Sequence, residues 1–132
     1  MEKRSIDNTP EDPEVSKRPG WEGMHVWWLV SNHETGSSQV VFDIATFPAG
    51  KAHEVHRHPN CEEVTYVLEG SGLHLSDGEP VRQEQGEACF IAKNEWHGFA
   101  NDSDQPTTII GIYGGVGSFE EAGYEVLEGE GD

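Results

Sequence analysis

The sequence predicts a single all-β domain, a sandwich or barrel of short strands. Short aromatic and β-branched stretches recur through the middle of the chain. Turn residues punctuate them about every 8 to 12 residues. Gly is abundant at 16 residues while hydrophobic residues make up only 34%. At 132 residues the chain has room for one core, not two.

Residues 1–20, MEKRSIDNTPEDPEVSKRPG, are polar and proline-bearing. They read as an extended or disordered arm, or as an arm that crosses onto a partner subunit. MHVWWLV (24–30) is the first strand. QVVFDIATF (39–47) alternates, with Val40, Phe42 and Ile44 on one face and Asp43 on the other, and ends at the turn PAG. EVTYVLEG (63–70) closes at Gly70, and GLHLSDGEP (72–80) holds a strand and an Asp-Gly hairpin turn. ACFIA (88–92), WHGFA (96–100) and TTIIGIYGG (107–115) complete the set. In GSFEEAGYE, Ser118 suits an N-cap, Glu121 closes a capping box and Gly123 ends a short helix. The expected organisation is an arm over 1–20, a barrel over 21–116, and a short helix with an acidic EGEGD tail over 117–132.

Charge narrows the partners. A net charge of −17 repels phosphate backbones and anionic lipid, which speaks against nucleic acid and membrane, and it attracts cations. No stretch approaches the roughly 18 apolar residues of a membrane helix, and the N-terminus has no apolar signal core, so a cytoplasmic protein is expected. Cys61 and Cys89 read as reduced thiols, Cys61 as a small buried residue and Cys89 as core.

KAHEVHRHPNCEEV (51–64) concentrates three of the seven histidines. On a strand, His56 and His58 point the same way, about 6.6 Å apart along the chain. The turn Pro59-Asn60 follows, and the next strand returns with Glu62 and Glu63. A one-residue slip would exchange these two carboxylates between faces. His97, in EWHGFAN, again opens an apolar strand after a polar turn. Three imidazoles and one carboxylate brought together by strands suit a divalent transition metal and leave about two positions of a six-coordinate ion open.

The spacing is more specific than the residue types. Gly50, five residues, His56, one residue, His58, four residues, Glu63, six residues and Gly70 resemble the first motif of the cupin superfamily. Gly86, His97 and Asn101 resemble the second, with Ala92 and Asn94 where the family usually has Pro and Gly. The resemblance implies a double-stranded β-helix, or jelly-roll barrel. It implies His56, His58, Glu63 and His97 as ligands of one divalent transition metal ion (Mn, Fe, Ni or Cu, with Zn also admissible). It also implies a homodimer. Trp21, Trp27 and Trp28 are three large aromatics within eight residues, hard to bury together in a chain of this size, so at least one is expected at a subunit interface.

Strand parity from the ligands predicts the rest of the site. Thr65 and Val67 share the face of Glu63, and Phe99 and Asn101 share that of His97. Phe42, with Val40 and Ile44, is expected on the opposite wall. His53 and Tyr66 are the candidate catalytic acid–base groups, with His53 placed on the other side from His56, at the pocket mouth or in solvent. His25, His33 and His74 are read as surface or interface residues. The expected function is a metal-dependent enzyme on a small oxygen-bearing organic substrate, dioxygenase-like in the first instance. The alternatives are a non-redox isomerase, lyase or decarboxylase, and a non-catalytic cupin that binds a small ligand or a metal.

Overall fold

Eight-residue alternation and short turns give a two-sheet sandwich. The computed structural model describes residues 1–127. The strands are β1 (His25–Val30), β2 (Val40–Phe47), β3 (His56–Arg57), β4 (Glu62–Glu69), β5 (Ser71–Leu75), β6 (Val81–Glu84), β7 (Ala88–Ile91), β8 (Gly98–Ala100), β9 (Thr107–Gly114) and β10 (Glu125–Val126). Two single-turn helices, α1 (Asn32–Thr35) and α2 (Phe119–Ala122), join them. The larger sheet runs β1-β2-β9-β4-β7, and its neighbouring strands are antiparallel throughout. The opposing sheet is β6-β5-β8. The bridges Ala52–Ala100 and His56–His97 attach residues 52–56 beside β8, and β3 pairs in turn with β10.

The core lies between these layers. Val41 and Phe47 of β2, Val67 of β4 and Ile109 of β9 meet Phe99 of β8 and Met24 from the loop before β1. No helix among the described residues is long and apolar enough to cross a membrane.

The N-terminal arm packs more closely than the sequence suggests. The arm expected to be extended or disordered folds back on its own chain. Val15 is 3% exposed in the core, Glu11 bridges Trp27, and Arg4 pairs with Glu34 at 2.9 Å. Apolar Val15 and the prolines around it let a polar segment follow the surface while one side chain anchors it. At the other end, Ser118 caps α2 by accepting from the Glu121 N–H at 3.0 Å. The Glu121 carboxylate accepts from Gly117 N–H rather than from Ser118 N–H, so the capping box is displaced by one residue. The acidic EGEGD tail lies outside the described residues.

Strand β2 presents the opposite face from the one expected. Val41, Asp43, Ala45 and Phe47 point inward, and Val40, Phe42 and Ile44 point outward. Three apolar residues stand on each side of this strand, so its alternation cannot choose a face. Phe42 therefore does not line the pocket. It continues an outer row in which Phe42 pairs with Ile112, Ile112 with Val64 and Val64 with Phe90.

Candidate metal centre and ligand cavity

Backbone pairing fixes the histidines before any side chain is considered. His56 and His97 exchange both backbone hydrogen bonds, at 2.7 and 2.8 Å. The His58 carbonyl accepts from Asn94 N–H at 2.9 Å. Asn94 stands where glycine was expected and adopts φ 67°, which Asn tolerates better than most residues. Glu63 comes from the facing sheet, held in β4 between Tyr113 of β9 and Ile91 of β7. Its neighbour Glu62 is exposed.

These placements bring His56, His58, Glu63 and His97 together. One ring nitrogen from each of the three buried histidines lies within 4.8 Å of the others. Glu63 Oε1 is 3.4 Å from His58 Nε2 and 3.0 Å from His97 Nε2. Each ring is aimed from behind. His56 Nδ1 lies 2.9 Å from the Glu54 carbonyl, His58 Nδ1 2.7 Å from that of Gly123, and His97 Nδ1 2.9 Å from that of Glu95. A carbonyl only accepts, so each Nδ1 carries a proton and Nε2 is the ring atom turned inward, free to ligate whenever it is unprotonated.

That arrangement is a test of fit for a metal. Two lone-pair atoms at the His97–Glu63 distance repel unless a proton or a cation lies between them. Glu63 Oε1 and His97 Nε2 are buried and have no other partner, and an unpaired buried polar atom costs about 1–3 kcal/mol. Burial alone would raise the Glu63 carboxyl, yet His58 and His97 hold it well below the usual carboxylate range. Burial works against a charged His97, and Glu63 outweighs it and raises its pKa. Both directions ask for positive charge at the same point, and the residues present fit a divalent ion.

A cavity opens from this cluster between the sheets. Trp21, Val26, Phe47, Phe99 and Ile109 give it apolar walls, and it comprises about 550 Å³ of interatomic space with its mouth included. Thr65 and Phe99 line it, as parity predicts. Asn101 does not. Strand β8 ends at Ala100, parity ends with it, and the Asn101 amide donates to the carbonyls of Phe47, Pro48 and Gln105 at 3.0, 3.1 and 2.7 Å. Tyr66 is 37% exposed on the outer face of the larger sheet, one residue out of step with Glu63 and Thr65, which removes it as a catalytic candidate.

His53 departs from the expected placement. Residues 53–55 are not regular strand, so its ring lies in the cavity wall, stacked on Trp21 at 4.1 Å between centroids. Its Nε2 is enclosed without a partner. Burial lowers its pKa to about 3, so it is a neutral imidazole at physiological pH.

Sequence reasoning missed several groups in and around the cavity wall. His74, read as a surface residue, is 6% exposed, with Nε2 2.9 Å from Thr65 Oγ1 and Nδ1 unpartnered. Tyr113 stands across the strand from Glu63, with its ring 5.0 Å from that of His58. Asp43 and Trp21 also line the space. Tyr124 stacks on His56 at 4.6 Å, and its hydroxyl donates to Glu54 at 2.8 Å. Cys61 is buried and Cys89 half-buried, both free thiols, so Cys89 is not the core residue its apolar strand suggests.

A small antiparallel double sheet that carries an inward histidine cluster and one facing carboxylate defines a class of β-barrel proteins with a buried polar centre. The chain belongs to the Cupin domain family, whose sequence pattern matches residues 43–113, more than half of its length. Among characterised sequences it is similar to the oxalate-binding protein of Thermotoga maritima, at 26% identity over 110 residues, covering 83% of this chain and 89% of that one. It is 31% identical over 61 residues to the tetracenomycin polyketide synthase protein TcmJ of Streptomyces glaucescens, covering 46% of this chain and 41% of that one. The polyketide cyclase RemF of Streptomyces resistomycificus shares the fold with a TM-score of 0.78 at 21% identity, over 96% of this chain and 85% of that one.

Proposed function

We propose that the protein is a metal-dependent enzyme that moves a proton on a small, oxygen-bearing organic substrate without net oxidation. His56, His58, Glu63 and His97 hold one divalent transition metal ion. When bound, the ion supplies Lewis acidity toward a chelated carbonyl or hydroxyl oxygen. The observation that carries this reading is His53: an unpartnered imidazole nitrogen enclosed in the same cavity as the ligand cluster.

The chain's own residues do the rest. Trp21, Phe47 and Phe99 exclude water and position a flat substrate. Burial makes neutral His53 a weak base, so it would take up only a strongly acidified substrate proton and return it to another substrate atom, and its stack on Trp21 fixes where Nε2 points. Tyr124 orients His56 by stacking. The names of the relatives, which include an oxalate-binding protein and a polyketide synthase protein, suit a substrate that chelates through oxygen.

Dioxygenase-like oxidation is the second reading. It is favoured by the ligand set, since three imidazoles and a carboxylate accept iron, manganese or copper as readily as a redox-inert ion. The assay is turnover of a panel of 1,3-diketones, catechols and sugar acids, with and without oxygen. Turnover that persists without oxygen and falls at least tenfold in His53→Ala supports proton transfer. Turnover that requires oxygen establishes the oxidative reading instead. Tight binding with no turnover makes the protein a non-catalytic binder.

A further inference from the structure

One cavity group has no part in holding the ligand cluster. Asp43 is 7% exposed and lines the cavity from the inner face of β2. Its carboxyl lies over Gly111 of β9, where a Cβ would come within 2.6 Å of Oδ2. Glycine at this position is what lets a carboxyl lie flat on the sheet. Thr65 follows Gly111 in the same cross-strand row, on β4, so the row carries polar groups along the floor of the cavity. No donor among the described residues pairs with the carboxyl. The nearby Trp28 indole, which stands across from Asp43 in β1, donates to Asp12 instead, at 2.8 Å. The carboxyl is therefore open to the cavity it lines, free of any protein partner that a ligand would have to displace.

Resting on the metal-enzyme reading above, we propose that Asp43 is the second ligand-contact point of this cavity. It hydrogen-bonds a substrate oxygen remote from the metal, and the substrate is a neutral, flat, oxygenated ring compound rather than a dicarboxylate. Three observations converge on this. The walls are aromatic and aliphatic. The lining includes Glu63 and Asp43 but no Lys or Arg, so no side-chain cation balances a second anionic group on the ligand. Burial first, and the field of Glu63 second, push the Asp43 carboxyl well above the usual range, which favours its neutral, hydrogen-bond-donating form.

The test is titration calorimetry on the zinc-loaded protein with two probes, 1,3-dihydroxynaphthalene and oxalate, on wild type, Asp43→Leu and Asp43→Asn. Zinc content and melting temperature are measured on each variant. The wild type is expected to bind the naphthalene at least tenfold more tightly than oxalate. Asp43→Leu, near in size but unable to donate, is expected to weaken naphthalene binding at least tenfold. It should retain zinc and melt at the same temperature as wild type or higher, because no hydrogen bond within the protein is lost. Asp43→Asn, which keeps a donor, should restore binding to within about threefold. Equal affinity in Asp43→Leu with zinc retained, or tighter binding of oxalate than of the naphthalene by wild type, overturns the assignment of Asp43 while leaving the metal reading intact. Failure of wild type to hold zinc is the separate failure of that reading.

Discussion

At the residue scale the site is a balance of charges that folding does not satisfy unaided. His53 shows what this does to stability. Its pKa is lowered by burial from 6.5 to about 3. Between those values the unfolded chain binds a proton that the folded chain cannot. The His53 contribution is therefore fully present above pH 6.5 and lost as pH falls toward 3, by up to about 1.4 kcal/mol per pH unit. Urea denaturation of the metal-free protein should show stability falling from pH 7 to pH 4, with a shallower fall in His53→Phe. An equal slope in both proteins contradicts this account of His53. Asn101 illustrates the other kind of buried polar residue. It is 1% exposed and satisfies three carbonyls. Asn101→Ala should cost about 2–4 kcal/mol in denaturation while the purified protein keeps its metal content. A lowered metal content at full stability would restore Asn101 to the site.

At the element scale, short pieces of chain aim the histidines. Helix α2 is only four residues long, yet the Gly123 carbonyl at its end accepts from His58 Nδ1 and the Ala122 carbonyl accepts from Asn60 N–H at 3.1 Å. Ser118→Ala removes the N-cap and should cost about 1 kcal/mol in thermal or urea unfolding. Because the helix end orients His58, competition with a chelator should also show metal affinity reduced severalfold. Unchanged affinity with the stability loss would mean that α2 does not act on His58.

The same elements explain what the sequence could and could not convey. The convergence of His56, His58, Glu63 and His97 is legible because three of them lie within eight residues and strand parity sets their direction. Thr65 and Phe99 follow by parity from those anchors. Asp43 and Phe42 are exchanged because β2 is apolar on both sides and its polarity misleads. His74, Tyr113 and Trp21 enter through pairings between strands and loops far apart in sequence, which no local pattern encodes. The packed arm depends on one apolar residue, Val15, within a composition that reads as disordered.

At the scale of the whole molecule, the larger sheet has two apolar faces, and the described residues cover only one. Tyr66, Leu68, Val40 and Phe90 are 37%, 47%, 42% and 61% exposed on the outer face. We propose that a second copy of the chain covers it, since an exposed apolar face can pack against its own copy about a two-fold axis. Light scattering after size exclusion should give twice the chain mass, and Phe90→Lys should shift it toward the monomer. A monomeric wild type would show that the face is open in solution.

Everything proposed for function depends on one ion held by three imidazoles and a carboxylate. X-ray absorption at the edge of the metal that co-purifies with the protein reads that shell directly. The expected spectrum shows the multiple scattering of about three imidazole rings plus oxygen, and the imidazole signal drops in His58→Ala in proportion to the metal lost. A spectrum without imidazole scattering, or one that His58→Ala leaves unchanged at full metal content, contradicts the account.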